Sequence, residues 1–304
     1  MRTPVFALIL ILALTCSAMQ GQKAMPLSQY VHNRFAINSA FAGSREVLSI
    51  FASFRKQWAG VPQSPTAQYF TGHTPLRNPR MALGVRVFNE NIAIKNNFET
   101  SFSYAYRVHV NPYTWMAFSI SGGLSSYAIN WNQVTLEDRN DEVFGGNESS
   151  IGPQAGFGWS IYNDKFFGGF SIPEFFTQDF EKLDGSNFEM EKIDYFLTGG
   201  YIIDISSLFA LQPSFLTKIS KDNGSWTDLS TTLIYNKMIW GGITYRTREE
   251  LVFHMGWLLL PQLRVAYSYD YSLGDIGNFN HGSHEISIQY DFGYKVNTPS
   301  PKFF

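Results

Sequence analysis

Six histidines are the first residues to test for chemistry in this chain: His32, His73, His109, His254, His281 and His284. None stands in the H-x-x-x-H or H-E-x-x-H spacing that would put two imidazoles on one helix face around zinc. Asp138, Asn140 and Glu142 have the alternate spacing of a calcium loop, but Val143 occupies the sixth position, where such a loop needs glycine. G-x-S-x-G, P-loop and G-x-G-x-x-G patterns are absent. No Ser–His pair is recognisable for a lipid-cleaving site. The sequence therefore points to no cofactor, no metal and no enzyme. What remains is a set of charges of both signs: Arg55, Arg86, Glu99, Arg107, Arg264, Asp270, Glu285 and Asp291. They suit a salt-bridged interior that stiffens a wall, or else a pore lining or plug site. His109 and His254 fall in the same pattern, as interior hydrogen-bonding groups.

Those charges matter because of the elements that carry them. The last strand shows it best. In residues 284–294, apolar side chains at 286, 288, 290, 292 and 294 alternate with Glu285, Ser287, Gln289 and Asp291. A period of two is a strand facing two different solvents. The same alternation recurs along the chain. Residues 98–110 set Phe98, Phe102, Tyr104, Tyr106, Val108 and Val110 against Glu99, Ser101, Ser103, Arg107 and His109. Further segments are 47–58, 66–74, 80–89, 115–124, 154–162, 166–172, 194–203, 209–217, 229–236, 239–246, 251–257 and 263–272. With the last strand the total is fourteen. One face is aromatic and aliphatic and the other polar or small, as in a transmembrane antiparallel β-barrel with lipid outside. Trp58, Trp115 and Trp257 fall at strand ends, where aromatic girdles sit.

Composition agrees. Aromatic residues make up 16% of the chain, and charged residues only 16%, against roughly 25% in ordinary globular domains. Net charge is -2, so no basic excess speaks for nucleic acid. Residues 5–13 form an apolar run too short for a membrane helix and read as part of a Sec signal peptide over 1–21. The single cysteine, Cys16, lies in that leader, so the mature chain has no disulfide. Residues 22–46 lack strong periodicity and read as an N-terminal periplasmic or plug segment. The barrel is assigned to 47–294, and 295–304 to a short tail.

Connection lengths alternate as well. Short turns are expected at 76–79, 111–112, 163–164, 204–208, 236–237 and 258–262. Long connections are expected at 125–150, 173–192, 218–228 and 273–283, with 247–250 a short exception. Short periplasmic turns and longer outside loops are the rule for outer-membrane barrels. A passive diffusion porin is one function open to such a wall.

The ordered set of short motifs resembles the PorP/SprF family of outer-membrane proteins of the type IX secretion system. Ser28-Gln29-Tyr30 and Asn38-Ser39-Ala40-Phe41-Ala42-Gly43 are similar to the family's S-Q-Y…N-P-A-Y-A-G, with Ser39 where the family has proline. Arg55-Lys56-Gln57-Trp58, Pro65-Thr66, His73-Thr74-Pro75-Leu76, Ala82-Leu83-Gly84, Pro213-Ser214-Phe215 and His284-Glu285-Ile286 follow in family order. The resemblance covers residues 28–292. It implies an outer-membrane accessory or anchor that supports secretion or surface attachment of cargo bearing a C-terminal sorting domain, gliding adhesins included. It implies as partners outer-membrane lipids, a periplasmic peptidoglycan-binding lipoprotein and those secreted proteins. Asn38, Gly43, Arg55, Gln57, Trp58, His73, Pro75 and Glu285 are its structural or interface candidates.

Overall fold

The computed structural model describes residues 27–131, 148–175, 177–178, 186–187, 193–221, 224–247 and 250–293. Fourteen strands make the wall: β1 Leu48–Lys56, β2 Thr66–Pro75, β3 Met81–Ile92, β4 Lys95–Asn111, β5 Thr114–Ile129, β6 Glu148–Tyr162, β7 Phe166–Ile172, β8 Tyr195–Tyr201 continued by Ile203–Asp204, β9 Phe209–Ile219, β10 Trp226–Tyr235, β11 Ile239–Arg246, β12 Glu250–Leu260, β13 Leu263–Ser272 and β14 Ser283–Phe292. Each pairs with its sequence neighbours, and β14 returns antiparallel to β1, with Ser49 opposite Asp291 and Arg55 opposite Glu285. The sheet is thereby closed, as a wall in lipid must be to satisfy its backbone groups. Fold class and strand number agree with the periodicity.

Among the described residues one ladder is short. β6 pairs with β7 only from Phe157 onward. Above that, the Phe175 N–H donates to the Ala155 carbonyl at 2.7 Å. Backbone groups of alternate residues point to the same side of a strand, so Pro153 also faces this edge. Having no N–H, it leaves no donor there to recruit a foreign strand.

The alternation is inside-out relative to a soluble sheet. On β14, Ser283, Glu285, Ser287 and Gln289 are buried, while Ile286 is 61% and Ile288 49% exposed. The exposed apolar face meets hydrocarbon, and the polar face turns to the lumen.

That lumen is filled. Leu27 to Glu46 runs inside the barrel through three short 3-10 turns, Ser28–Val31, Arg34–Ala36 and Ser39–Phe41. Turns this short do not hold by themselves, so contacts with the wall fix their path. One apolar cluster joins Leu27, Tyr30 and Val31 to Phe51, Leu216 and Trp226. A second packs Phe35, Ala40, Phe41 and Ala42 on Ala82, Ala105, Ala117, Tyr162 and Phe167.

The short-turn series stands where expected, but several outer connections are shorter than the sequence suggests. β3 and β4 continue past the apolar band, so only residues 93–94 join them, with Ala93 at φ +50°. β5 and β6 reach into 125–150, ending at Ile129 and beginning at Glu148. Polar residues carried beyond the membrane break the alternation without breaking the backbone ladder. For the same reason Asp228 belongs to β10 rather than to a loop. Trp257 lies on the lipid face, 49% exposed. Trp115 does not join it: it packs on the plug cluster, sharing the inward parity of Ala117 and Ser119. The leader, the calcium-spaced Asp138, Asn140 and Glu142, and the C-terminal tail lie outside the described residues.

Candidate functional site

The interface between plug and wall gathers most of the residues singled out in the sequence. At its short-turn end, Asn38 starts the third 3-10 turn. Its Oδ1 accepts from the Ala40 N–H at 2.9 Å, which caps the turn. Its Nδ2 donates to the carbonyls of Trp159 at 2.9 Å and Phe170 at 3.1 Å, tying the turn to β6 and β7. The wall makes room with missing side chains. A Cβ on Gly158 would lie 2.3 Å from Asn38 Oδ1, and one on Gly84 would lie 2.3 Å from the Phe35 ring. Ser39, standing where the family has proline, shares a 2.7 Å hydrogen bond with the Ser119 hydroxyl. Ser160 and Ser171 donate to the carbonyls of Ala40 and Ile37.

Gly43 then turns the chain out of this pocket at φ +73°, a conformation that favours glycine. Its N–H donates to His73 Nδ1 at 3.1 Å, and its carbonyl accepts from Arg107 at 2.6 Å. A Cβ there would sit 2.7 Å from that of Ala82. Arg107 also donates to the Pro79 carbonyl and lies 4.7 Å over the Trp115 ring. One guanidinium thus clamps plug, turn and wall. The His73 ring packs on Phe35, centroids 5.0 Å apart.

Charge holds the other end. The Ser28 N–H donates to Glu285 at 2.7 Å, and its hydroxyl donates to Asp270 at 2.7 Å while accepting from Arg55 at 2.7 Å. Arg55 lies 2.7 Å from Asp270 and 3.6 Å from Glu285. Arg246 grips Asp228 through two hydrogen bonds of 2.8 and 2.9 Å and reaches Glu250 at 2.8 Å. Two cations thus face four carboxylates in a closed interior. Such groups are tolerated away from water only when paired and hydrogen-bonded. Between the two ends Asn33 donates to Thr71 at 2.9 Å, and Arg45 donates to the His32 carbonyl and Gln289, both at 3.2 Å. Asp291 is shared by Arg264 and Ser49. His254 bonds Thr232 at 3.0 Å, an interior role matching its parity.

The structure therefore brings Asn38, Gly43 and His73 together at one end of the plug, and Arg55 and Glu285 at the other. Gln57 and Trp58 belong instead to the loop after β1. Gln57 is buried and its N–H donates to the Pro65 carbonyl at 2.9 Å. Trp58 takes φ +47°, and its N–H donates to the Ser283 hydroxyl at 3.2 Å. Pro75 stands apart, ending β2 opposite Ala82. Asp228 and Glu250 were missed because they sit at strand ends assigned to the connections 218–228 and 247–250; Arg246 closed the strand read over 239–246 but was not counted among the interior charges. Their signal was parity: counted from Ser230 and Thr244, all three point inward.

Chemically, this arrangement holds a segment in place. Among the described residues no cluster of three or more histidine, cysteine or acidic side chains is placed to hold a metal. Two cavities beside the plug measure about 10 and 20 Å³, room for about one water each.

Residues 19–290 match the family model described as type IX secretion system membrane protein PorP/SprF. No curated protein matches the sequence. Among solved structures the chain is similar to the outer membrane protein Omp33 of Acinetobacter baumannii, at 10% identity and TM-score 0.48, covering 81% of this chain and 98% of that one. It is also similar to the monoaromatic hydrocarbon channel CymD, at 14% identity and TM-score 0.47, covering 90% and 95%. A Pseudomonas aeruginosa FadL homologue aligns at 10% identity and TM-score 0.45, covering 81% and 90%.

Proposed function

The chain belongs to the PorP/SprF family of type IX secretion system membrane proteins, and from that premise we propose that it is an outer-membrane platform for secreted cargo. In this reading it supports secretion or surface attachment of proteins with a C-terminal sorting domain, such as gliding adhesins, and does so without catalysis. The short turns face a periplasmic peptidoglycan-binding lipoprotein, and the outer connections face the cargo. The signal peptide is removed on export.

The observation that carries the reading is the occupied lumen. A diffusion porin needs a water-filled channel. Here the family-like segment from Ser28 to Gly43 is held by wall side chains from both ends. A barrel whose interior is occupied by its own chain is suited to presenting surfaces rather than passing solutes.

A clean gene deletion tests it. Secretion or surface display of one sorting-domain cargo should be lost and be restored by the intact gene. Affinity capture of the tagged barrel should recover the lipoprotein. Normal display of every sorting-domain protein in the deletion strain would refute the platform role.

A further inference from the structure

The lipid-facing belt has a hole in it. Across β10 to β14 one outward row runs Leu233, Gly241, Met255, Tyr267 and Ile286, each opposite the next. Every member but Gly241 carries a large apolar side chain. Below it the next row is Tyr235, Ile239, Trp257 and Val265. An open concavity of about 640 Å³ lies around Gly241, lined by members of both rows. Glycine is not required there by packing: a Cβ on Gly241 would meet nothing nearer than the His254 carbonyl at 3.7 Å, an ordinary contact. The backbone does not require it either, since Gly241 is not among the positive-φ residues.

We propose that this groove is a seat for one phospholipid acyl chain. The occupant follows from where the groove lies. It interrupts the apolar belt, so hydrocarbon is the medium it opens to. Tyr235 and Ile239 flank the short turn at 236–238, and short turns are periplasmic in such barrels. The groove thus opens to the inner leaflet of the outer membrane. Tyr235 and Trp257 edge it with rings that have an apolar body and a polar tip, suited to the boundary beneath a headgroup. Bilayer hydrocarbon is as apolar as the groove, so what a seated chain gains is packing against a fixed wall, about 0.1–0.2 kcal/mol for each carbon–carbon contact added. This inference does not rest on the secretion role.

The test uses the full-length protein in phosphatidylethanolamine vesicles doped with a phosphatidylethanolamine that carries a photoreactive diazirine on its acyl chain. Cross-links are mapped by peptide mass spectrometry. Labelling at Leu233, Met255 and Trp257 should exceed that at Phe102 and Ile120, elsewhere on the belt, by about threefold, the effect of about five added carbon–carbon contacts. Gly241→Leu projects a branched side chain into the middle of the groove and should lower its labelling towards the belt level. Gly122→Leu adds the same side chain at another exposed belt position and should leave the pattern unchanged. Even labelling around the belt, or groove labelling indifferent to Gly241→Leu, would overturn the proposal. A barrel band with heat-dependent gel mobility shows that each variant is folded.

Discussion

Arg55 is the cation that bonds both the plug, at Ser28, and the wall carboxylates Asp270 and Glu285, so its removal tests the charge network directly. Arg55→Met keeps most of the length and apolar volume but deletes the cation. Asp270 loses a partner at 2.7 Å, Glu285 one at 3.6 Å, and the Ser28 hydroxyl loses its donor. Arg246, already engaged with Asp228 and Glu250 and 3.8 Å from Asp270, is then the nearest remaining cation. Breaking one partner out of a buried ion pair costs about 3–5 kcal/mol. For a domain of this size that is a fall of about 6–20 °C in apparent melting midpoint. Heat-dependent gel mobility of the detergent-folded barrel measures the midpoint, with the exposed Arg77→Met as the surface control. The Arg55→Met/Glu285→Met double variant should be less damaging than the two single changes added together, because it removes charge of both signs. A midpoint for Arg55→Met within 2 °C or so of the control, against the 2–4 °C expected per kcal/mol, would refute the claim that this network holds the plug.

Other consequences follow from the opposite end. Asn38→Ala removes two donors to wall carbonyls and a turn cap, and at about 1 kcal/mol for each hydrogen bond should destabilise by about 3 kcal/mol in the same melting assay. Gly43→Ala combines a left-handed backbone with a 2.7 Å approach to Ala82 and should cost about 1–3 kcal/mol. Ala82→Leu over-packs the floor beneath Phe41, and in a Ser39→Cys background should raise maleimide labelling at position 39 from near zero. Cys16 is the one native cysteine, so a Cys16→Ser background leaves position 39 as the sole thiol.

How much of this was legible in the sequence depends on the range of the interactions involved. Alternation is local, so residues 98–110 or 284–292 announce a strand facing two media without reference to anything else. Turn lengths fix strand order for the same reason. The path of Leu27 to Glu46 is written elsewhere, in Ala82, Ala105 and Ala117, in glycines 84 and 158, and in Arg107. Each is unremarkable in its own strand and acquires meaning only when the closed sheet brings it under the plug. Trp115 was misread as a girdle residue because its position at a strand end outweighed its parity with Ala117. Asp228 and Glu250 were similarly hidden by strand ends that carry polar residues beyond the apolar band. The family-like motifs Asn38, Gly43, His73, Arg55 and Glu285 were visible as a list, but their pairing into two ends of one plug was not.

The central claim is that this barrel is closed by its own N-terminal segment. Single-channel recording in planar bilayers tests it directly. The intact protein should insert without opening a steady pore, and a variant lacking residues 27–44 should conduct as an open barrel. A stable ohmic conductance from the intact protein, unchanged when those residues are deleted, would contradict it.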